Sequence, residues 1–244
     1  MDLDLAYLLI PLSFFTSMLT VVLGIGGGTL MLLSMTVLLP PSQIIFVHGL
    51  VQLASNSSRA GLYRRTVDWP SVRIFTVTSI MGVGLGGLLS VQLAPEHFRI
   101  LVALFILSTL IFSVKTISPK GWMIGGMVSS FLTMFVGATG PLVAAMVGAN
   151  EEDRDQMIGT LATMMVVQHG LKIALLLLAA DYVKVDYLMV ALIALFGLAG
   201  TYAGKKIGHH IPSHRFKRVF KSVLFLIASS ILIRAIWALL PVTA

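Results

Sequence analysis

The chain has 244 residues, 57% hydrophobic and only 11% charged, against about 25% charged in a typical soluble domain. Its mean hydropathy is +0.96, and the charges sit in short clusters between apolar stretches such as 100–114 and 188–203. This excludes an ordinary soluble enzyme, and the net charge of +7 reads as basic loops on the cytoplasmic side rather than as a nucleic-acid surface.

The spans are expected to be helices, since membrane strands would alternate polar and apolar residues. The opening Met1-Asp2-Leu3-Asp4 is acidic where a cleavable signal has a positive n-region, so the first apolar run counts as part of the mature protein. Residues 5–39 would make a helix of about 53 Å, too long for one crossing of ~30 Å. Gly24-Ile25-Gly26-Gly27-Gly28 interrupts it, and the arm from Thr29 to Leu39 covers only about 17 Å. This predicts a broken helix that dips into the bilayer and returns, although 5–23 alone could cross.

The next helix is unusually polar: His48, Gln52, Ser55, Asn56 and Arg59 fall within twelve residues. Gln52, Ser55, Asn56 and Arg59 share one face by i, i+3, i+4, i+7 spacing. Two further apolar segments follow, the first opened by Val67-Asp68-Trp69 and containing Gly82-x-x-x-Gly86.

The second half repeats the first. A stretch from Gly121 to Val136 meets a second break, Gly137-Ala138-Thr139-Gly140-Pro141, and a short arm runs from Leu142 to Ala149. This break aligns with Gly24–Gly28 at a shift of 113 residues, Val185-Asp186-Tyr187 and Gly200-x-x-x-Gly204 match at 118, and Pro95-x-His97 recurs as Pro212-x-His214 at 117. At the 113 shift, Ser55, Asn56 and Arg59 fall on Gln168, His169 and Lys172. The expected architecture is one all-α transmembrane domain over residues 1–244. It holds two inverted repeats, about 5–116 and 121–240, each a re-entrant broken helix followed by three transmembrane helices. With both breaks re-entrant, 13 Lys and Arg lie on the cytoplasmic side and 4 elsewhere, against about 9 to 8 for eight plain crossings. Both termini then face out.

The breaks are the leading candidates for function. Non-helical backbone at membrane depth survives only where protein buries it or a wet cavity adjoins it, and the free N–H groups opening a half-helix favour an anion. Gly26, Gly27, Gly28 and Thr29 at the first break, and Gly137, Ala138, Thr139 and Gly140 at the second, are the candidate backbone ligands. Gln52, Ser55, Asn56, Arg59, Gln168, His169 and Lys172 are the candidate side-chain ligands. The competing roles are interhelical hydrogen bonding and, for Arg59 and Lys172, snorkelling. Gly82/Gly86 and Gly200/Gly204 read as helix packing.

All ten acidic residues fall at chain ends or in loops, which argues against a cation path and suits an anion. If protons are coupled, His48 and His169 are the intramembrane groups that titrate near neutrality. No cofactor motif is recognised, and with no cysteine there is no thiolate metal site or thiol nucleophile. The expected partners are a small anion and the lipid bilayer, with no nucleic acid, and homo-oligomerisation is left open.

The order of these features resembles the sulfite exporter TauE/SafE permeases. The residues that carry the likeness are Gly24–Gly28 with Pro40-Pro41, the polar helix at 48–59, Val67-Asp68-Trp69, Gly137–Pro141, Gly159-Thr160 and Val185-Asp186-Tyr187. Here Val47-His48-Gly49 stands where Gly-Thr/Ser is commoner. The resemblance implies a multi-pass inner-membrane protein of bacteria that moves sulfite, sulfonates or related sulfur-containing anions, without implying direction. The expectation is therefore a secondary transporter rather than an enzyme, with an anion channel, or a permease for another small carboxylate or oxyanion, as alternatives.

Overall fold

The structure, a computed structural model, describes residues 3–24, 26–89, 94–111, 117–149, 153–178, 185–207 and 213–240, which form eleven helices and no strand. Several residues named above, among them Met1, Asp2, Ile25 and Pro212, lie outside the described residues.

The first apolar run divides into α1 (Leu3–Ala6), α2 (Leu9–Leu23) and α3 (Gly27–Leu38). Gly24 and Gly26 have φ of +82° and +103°, a region that glycine enters without the Cβ penalty, which is why the break falls there. The chain leaves α3 through an extended Leu39, and Pro41 opens α4 (Pro41–Leu62), where proline's missing N–H costs no helical bond. α5 (Trp69–Leu88) and α6 (Pro95–Ile111) complete the first half.

The second half begins with α7 (Pro119–Val136), whose N-cap Ser118 accepts a hydrogen bond from the Gly121 N–H. It breaks at Gly137, φ +85°, and resumes as α8 (Gly140–Gly148). Then come α9 (Arg154–Leu178), α10 (Tyr187–Ile207) and α11 (Ser213–Leu239). Both breaks fall where the glycine clusters predict them. The first helix differs from expectation only in starting at Leu9, after a separate turn of helix.

Among the described residues, four helices are long and apolar enough to cross a membrane: Trp69–Leu88, Arg154–Leu178, Tyr187–Ile207 and Lys221–Leu239. α4 has 22 residues, about 33 Å of helix, but its polar face keeps it outside that group. α6 ends at Ile111 after 17 residues, bordering residues outside the described set.

Contacts fix the helix directions. Tyr7 donates to Asp186 Oδ2 at 2.7 Å and Ser13 donates to the Ile193 carbonyl at 2.8 Å, while Gly204 meets the backbone of Met18. α2 and α10 therefore run side by side in the same direction. At the far end Lys205 donates to the Leu62 carbonyl at 3.0 Å, and Asp68 N–H donates to Thr160 Oγ1 at 2.9 Å. The C-termini of α4 and α10 thus share one end, the Lys205 end, with the N-termini of α5 and α9. Tyr7 and Asp186 mark the other. The tip of the α2–α3 hairpin reaches toward the Lys205 end, where Arg154 donates to the Val21 and Val22 carbonyls, both at 2.9 Å. This satisfies carbonyls that the break leaves without helical partners.

The largest helix contacts are reciprocal between the halves: α5 packs on α7 as α10 packs on α2, and α4 faces α9 as α6 faces α11. The small-residue pairs make this close approach. A Cβ on Gly82 would collide with the Met127 carbonyl and one on Gly200 with the Phe14 carbonyl. On Gly86 it would lie 3.0 Å from the Phe131 oxygen, and on Gly204 2.7 Å from the Met18 oxygen. These four glycines pack backbone against backbone, the role their spacing suggests.

Candidate functional site

Between the two hairpin tips, α4 and α9 lies a narrow, open cleft with roughly 520 Å³ of empty space when its open mouth is counted. The first break supplies Gly24, Gly26, Gly28 and Thr29, with Thr20 from the end of α2. α4 supplies His48, Gln52, Asn56 and Arg59, spaced so that four successive turns present one face. The second break supplies Ala138, Gly140 and Pro141. α9 closes the remaining wall with Ile158, Leu161, Ala162, Met165 and His169. One side of the cleft is polar and the α9 side largely apolar.

Arg59 is the site's cation. Its residue exposure is 4%, so it does not snorkel to the surface. Its Nη1 donates to Ser55 Oγ at 2.9 Å and its Nη2 to Asn56 Oδ1 at 2.8 Å. Asn56 in turn donates to the Gln52 carbonyl at 2.8 Å, and Ser55 shares a 3.0 Å hydrogen bond with Ser17 of α2. The guanidinium is held by neutral acceptors alone. No carboxylate lines the cleft, and among the described residues the one salt bridge joins Arg99 to Glu96, elsewhere in the molecule.

The histidines meet here. The His48 and His169 rings are 5.8 Å apart, edge to face, and His48 Nε2 lies 3.1 Å from the Gly28 carbonyl. Thr29 Oγ1 and His169 Nδ1 are buried without a hydrogen-bond partner among the described residues. Buried polar atoms are rarely left so, and both residues face the cleft. No group of three or more His, Asp or Glu that could hold a metal ion occurs among the described residues.

Of the expected ligands, Gly26, Gly28, Thr29, Gln52, Asn56, Arg59, Ala138, Gly140 and His169 line the cleft together, as does His48. Six do not. Gly27 is packed so tightly on α2 that a Cβ would strike Thr16 O and Thr20 Oγ1; its smallness serves the hairpin. Ser55 stands behind Arg59. Gly137 makes the turn, with His48 Nδ1 3.6 Å from where its Cβ would lie. Thr139 and Gln168 bond each other at 2.7 Å, and Gln168 donates onward to Ser130 at 3.0 Å and Ser129 at 3.3 Å. That network braces the second break. Lys172 is wholly buried outside the lining, its Nζ without a partner among the described residues.

Reading only polar groups missed the apolar wall. Ile158, Leu161, Ala162 and Met165 recur at i+3, i+4 and i+7 along the same face as His169, so extending that stripe back from His169 finds them. Thr20 lies one turn before the glycines, on the helix they terminate.

The family model for the sulfite exporter TauE/SafE matches residues 9–231. The chain belongs to the TauE/SafE sulfite exporter family. No curated protein and no solved structure matches it. As a TauE/SafE member the chain is a multi-helix membrane protein from a family of transporters rather than enzymes. Its matched region takes in both breaks, α4 and α9.

Proposed function

We propose that this TauE/SafE protein is a secondary transporter of small sulfur-containing anions, such as sulfite or organosulfonates, bound in the cleft between the two glycine breaks. It works in the inner membrane of a bacterium, with the Lys205 end in the cytoplasm and both termini outside. The observation that carries this reading is Arg59: a buried guanidinium on a cavity wall, held by Ser55 and Asn56, with no carboxylate in the lining. A cation kept out of water without a counter-charge is costly, and an arriving anion supplies that charge. The α3 and α8 N-termini, with Gly26, Gly28 and Gly140 on the lining, add backbone donors and the positive ends of two half-helices.

Support for two inverted repeats, each a re-entrant hairpin and three crossing helices, comes from the reciprocal helix contacts and from direction. α2 runs toward the Lys205 end and α7, parallel to α5, runs away from it. Transporters with such repeats bind substrate near their interface.

The test is uptake into proteoliposomes of sulfite, thiosulfate, sulfoacetate, taurine and isethionate. Saturable uptake of at least one is expected. Arg59→Gln should weaken binding of that anion roughly ten- to a hundredfold, the value of a hydrogen bond to a charged group. Flux linear in concentration would make the protein a channel, and an unaltered affinity in Arg59→Gln would remove Arg59 from the site.

A further inference from the structure

Residues 113 apart occupy matching places in the two halves. Ser17 meets Ser55 at 3.0 Å, and their counterparts Ser130 and Gln168 meet at 3.0 Å. The cleft does not share this symmetry. Arg59 and Ile158 line it, whereas their counterparts, Lys172 and Ile45, do not. The cavity is displaced toward the Lys205 end, where the C-terminus of α4 meets the N-terminus of α9.

Lys172 is the telling member. Its exposure is 0%, and its Nζ has no hydrogen-bond partner among the described residues. It lies against Gly49, with Cε 3.0 Å from where a Gly49 Cβ would be. An intramembrane basic group marks function by default, because its burial is expensive unless some state of the protein repays it. The conformation described gives Lys172 no partner. Inverted-repeat transporters alternate by moving one repeat against the other around a fixed site. In the exchanged arrangement, Ile45 and Lys172 acquire the surroundings that Ile158 and Arg59 have now.

We propose that Lys172 is the anion-binding cation of the opposite-facing conformation, so that transport passes the anion between Arg59 and Lys172. This rests on the transport function proposed above. Lys172 then has no direct part in binding by the conformation described, but is required for turnover.

The chain contains no cysteine, so single reporter thiols can be introduced cleanly. Ile158→Cys and Ile45→Cys, separately, are reconstituted and treated with a methanethiosulfonate reagent, with and without sulfite or isethionate. Ile158→Cys, on the cleft wall, should label more slowly with anion than without it. Ile45→Cys, half-buried and outside the lining, should label faster during uptake than in the empty protein. Lys172→Gln should lower uptake roughly ten- to a hundredfold by loss of a charge-assisted contact, abolish the anion-dependent labelling of Ile45→Cys, and leave equilibrium binding in detergent within about twofold, since the resting site keeps Arg59. Lys172→Arg, which keeps the charge, should restore uptake. If Lys172→Gln fails to fold, Lys172→Arg and the thiol labelling decide the matter. Wild-type uptake by Lys172→Gln, or labelling of Ile45→Cys indifferent to anion, overturns the handover. Absence of binding and uptake of every sulfur anion by the wild type would instead overturn the transport function on which it rests.

Discussion

Gly140 and Gly27 both open a half-helix, yet the space around them predicts opposite consequences for alanine. At Gly140 the nearest atom to an added Cβ is Met165 Sδ, 3.9 Å away, an ordinary contact, and both residues line the cleft. Gly140→Ala therefore folds normally and takes one methyl's volume from the binding space. At Gly27 the same methyl would overlap the Thr16 carbonyl and Thr20 Oγ1. That contact is with backbone, so α3 must move off α2, and overpacking of this kind costs typically ~1–3 kcal/mol. In detergent, thermal unfolding followed by tryptophan fluorescence should leave Gly140→Ala at the wild-type midpoint and lower that of Gly27→Ala by several degrees. Equilibrium binding of sulfite or isethionate should fall in Gly140→Ala, because a small anion that exchanges its water for fixed donors tolerates little displacement from them. Wild-type affinity in a stable Gly140→Ala protein would refute the role of the second break in binding. A stable Gly27→Ala protein would refute the packing assignment. Valine at Gly27 would be a poor probe of the site because it disturbs the hairpin first.

Two further outcomes test the supporting structure. Gln168→Leu removes the acceptor of Thr139, leaving that buried hydroxyl without its partner at about 1–3 kcal/mol, while Ser129 and Ser130 keep their bonds to the Gly126 carbonyl and Ser79; a lower unfolding temperature is expected, partly recovered in Gln168→Glu, whose carboxyl can still accept from Thr139. At the Asp186 end, the Met189 N–H and the Tyr7 hydroxyl hold the Asp186 carboxyl below its ordinary 3.8. A depressed carboxylate stabilises the fold above its unfolded pKa and loses that contribution as pH falls through its folded pKa. Asp186→Asn should therefore alter exchange protection at the start of α10 at neutral pH but cease to differ from wild type below that range, as read by hydrogen exchange of the Met189 amide.

Much of the fold could be read in advance because glycine in a long apolar run has few uses. Two clusters 113 residues apart in stretches too long or too short for a crossing left broken helices as the economical solution, and the positive φ at Gly24, Gly26 and Gly137 is the backbone freedom those residues were expected to provide. The polar stripe on α4 was equally visible, since its residues repeat at helical spacing. Legibility stopped where function depends on direction around a helix or on space. Gly26, Gly27 and Gly28 are adjacent in sequence, but Gly26 stands before the helix at φ +103° and successive helical residues point about 100° apart, so Gly28 lines the cleft with Gly26 while Gly27 faces α2. Likewise Ser55 and Asn56 follow each other, one standing behind Arg59 and the other on the wall. The apolar face of α9 carried no chemical mark against the general hydrophobic background.

Matching contacts in the two halves bear on how a buried cation is kept. Ser17–Ser55 and Ser130–Gln168 are the same contact in two halves, but one braces a cation and the other a helix break. In the first half Ser55 accepts from Arg59. In the second, Gln168 directs its carbonyl to Thr139 and its amide to Ser130, and in the conformation described neither holds Lys172 as Ser55 holds Arg59. The halves thus differ, in this conformation, in what they offer a charge. An anion bound as proposed would meet an oriented guanidinium already hydrogen-bonded to Ser55 and Asn56. The geometry of a planar fork fixed at two points, by Ser55 and Asn56, leaves its remaining N–H donors to an oxyanion, and lysine at position 59 would present a mobile point charge in its place. Arg59→Lys should therefore bind the anion more weakly than wild type although the charge is retained. Equal affinities in a titration of the two proteins would mean that the site reads charge alone, and that the bracing by Ser55 and Asn56 serves stability instead.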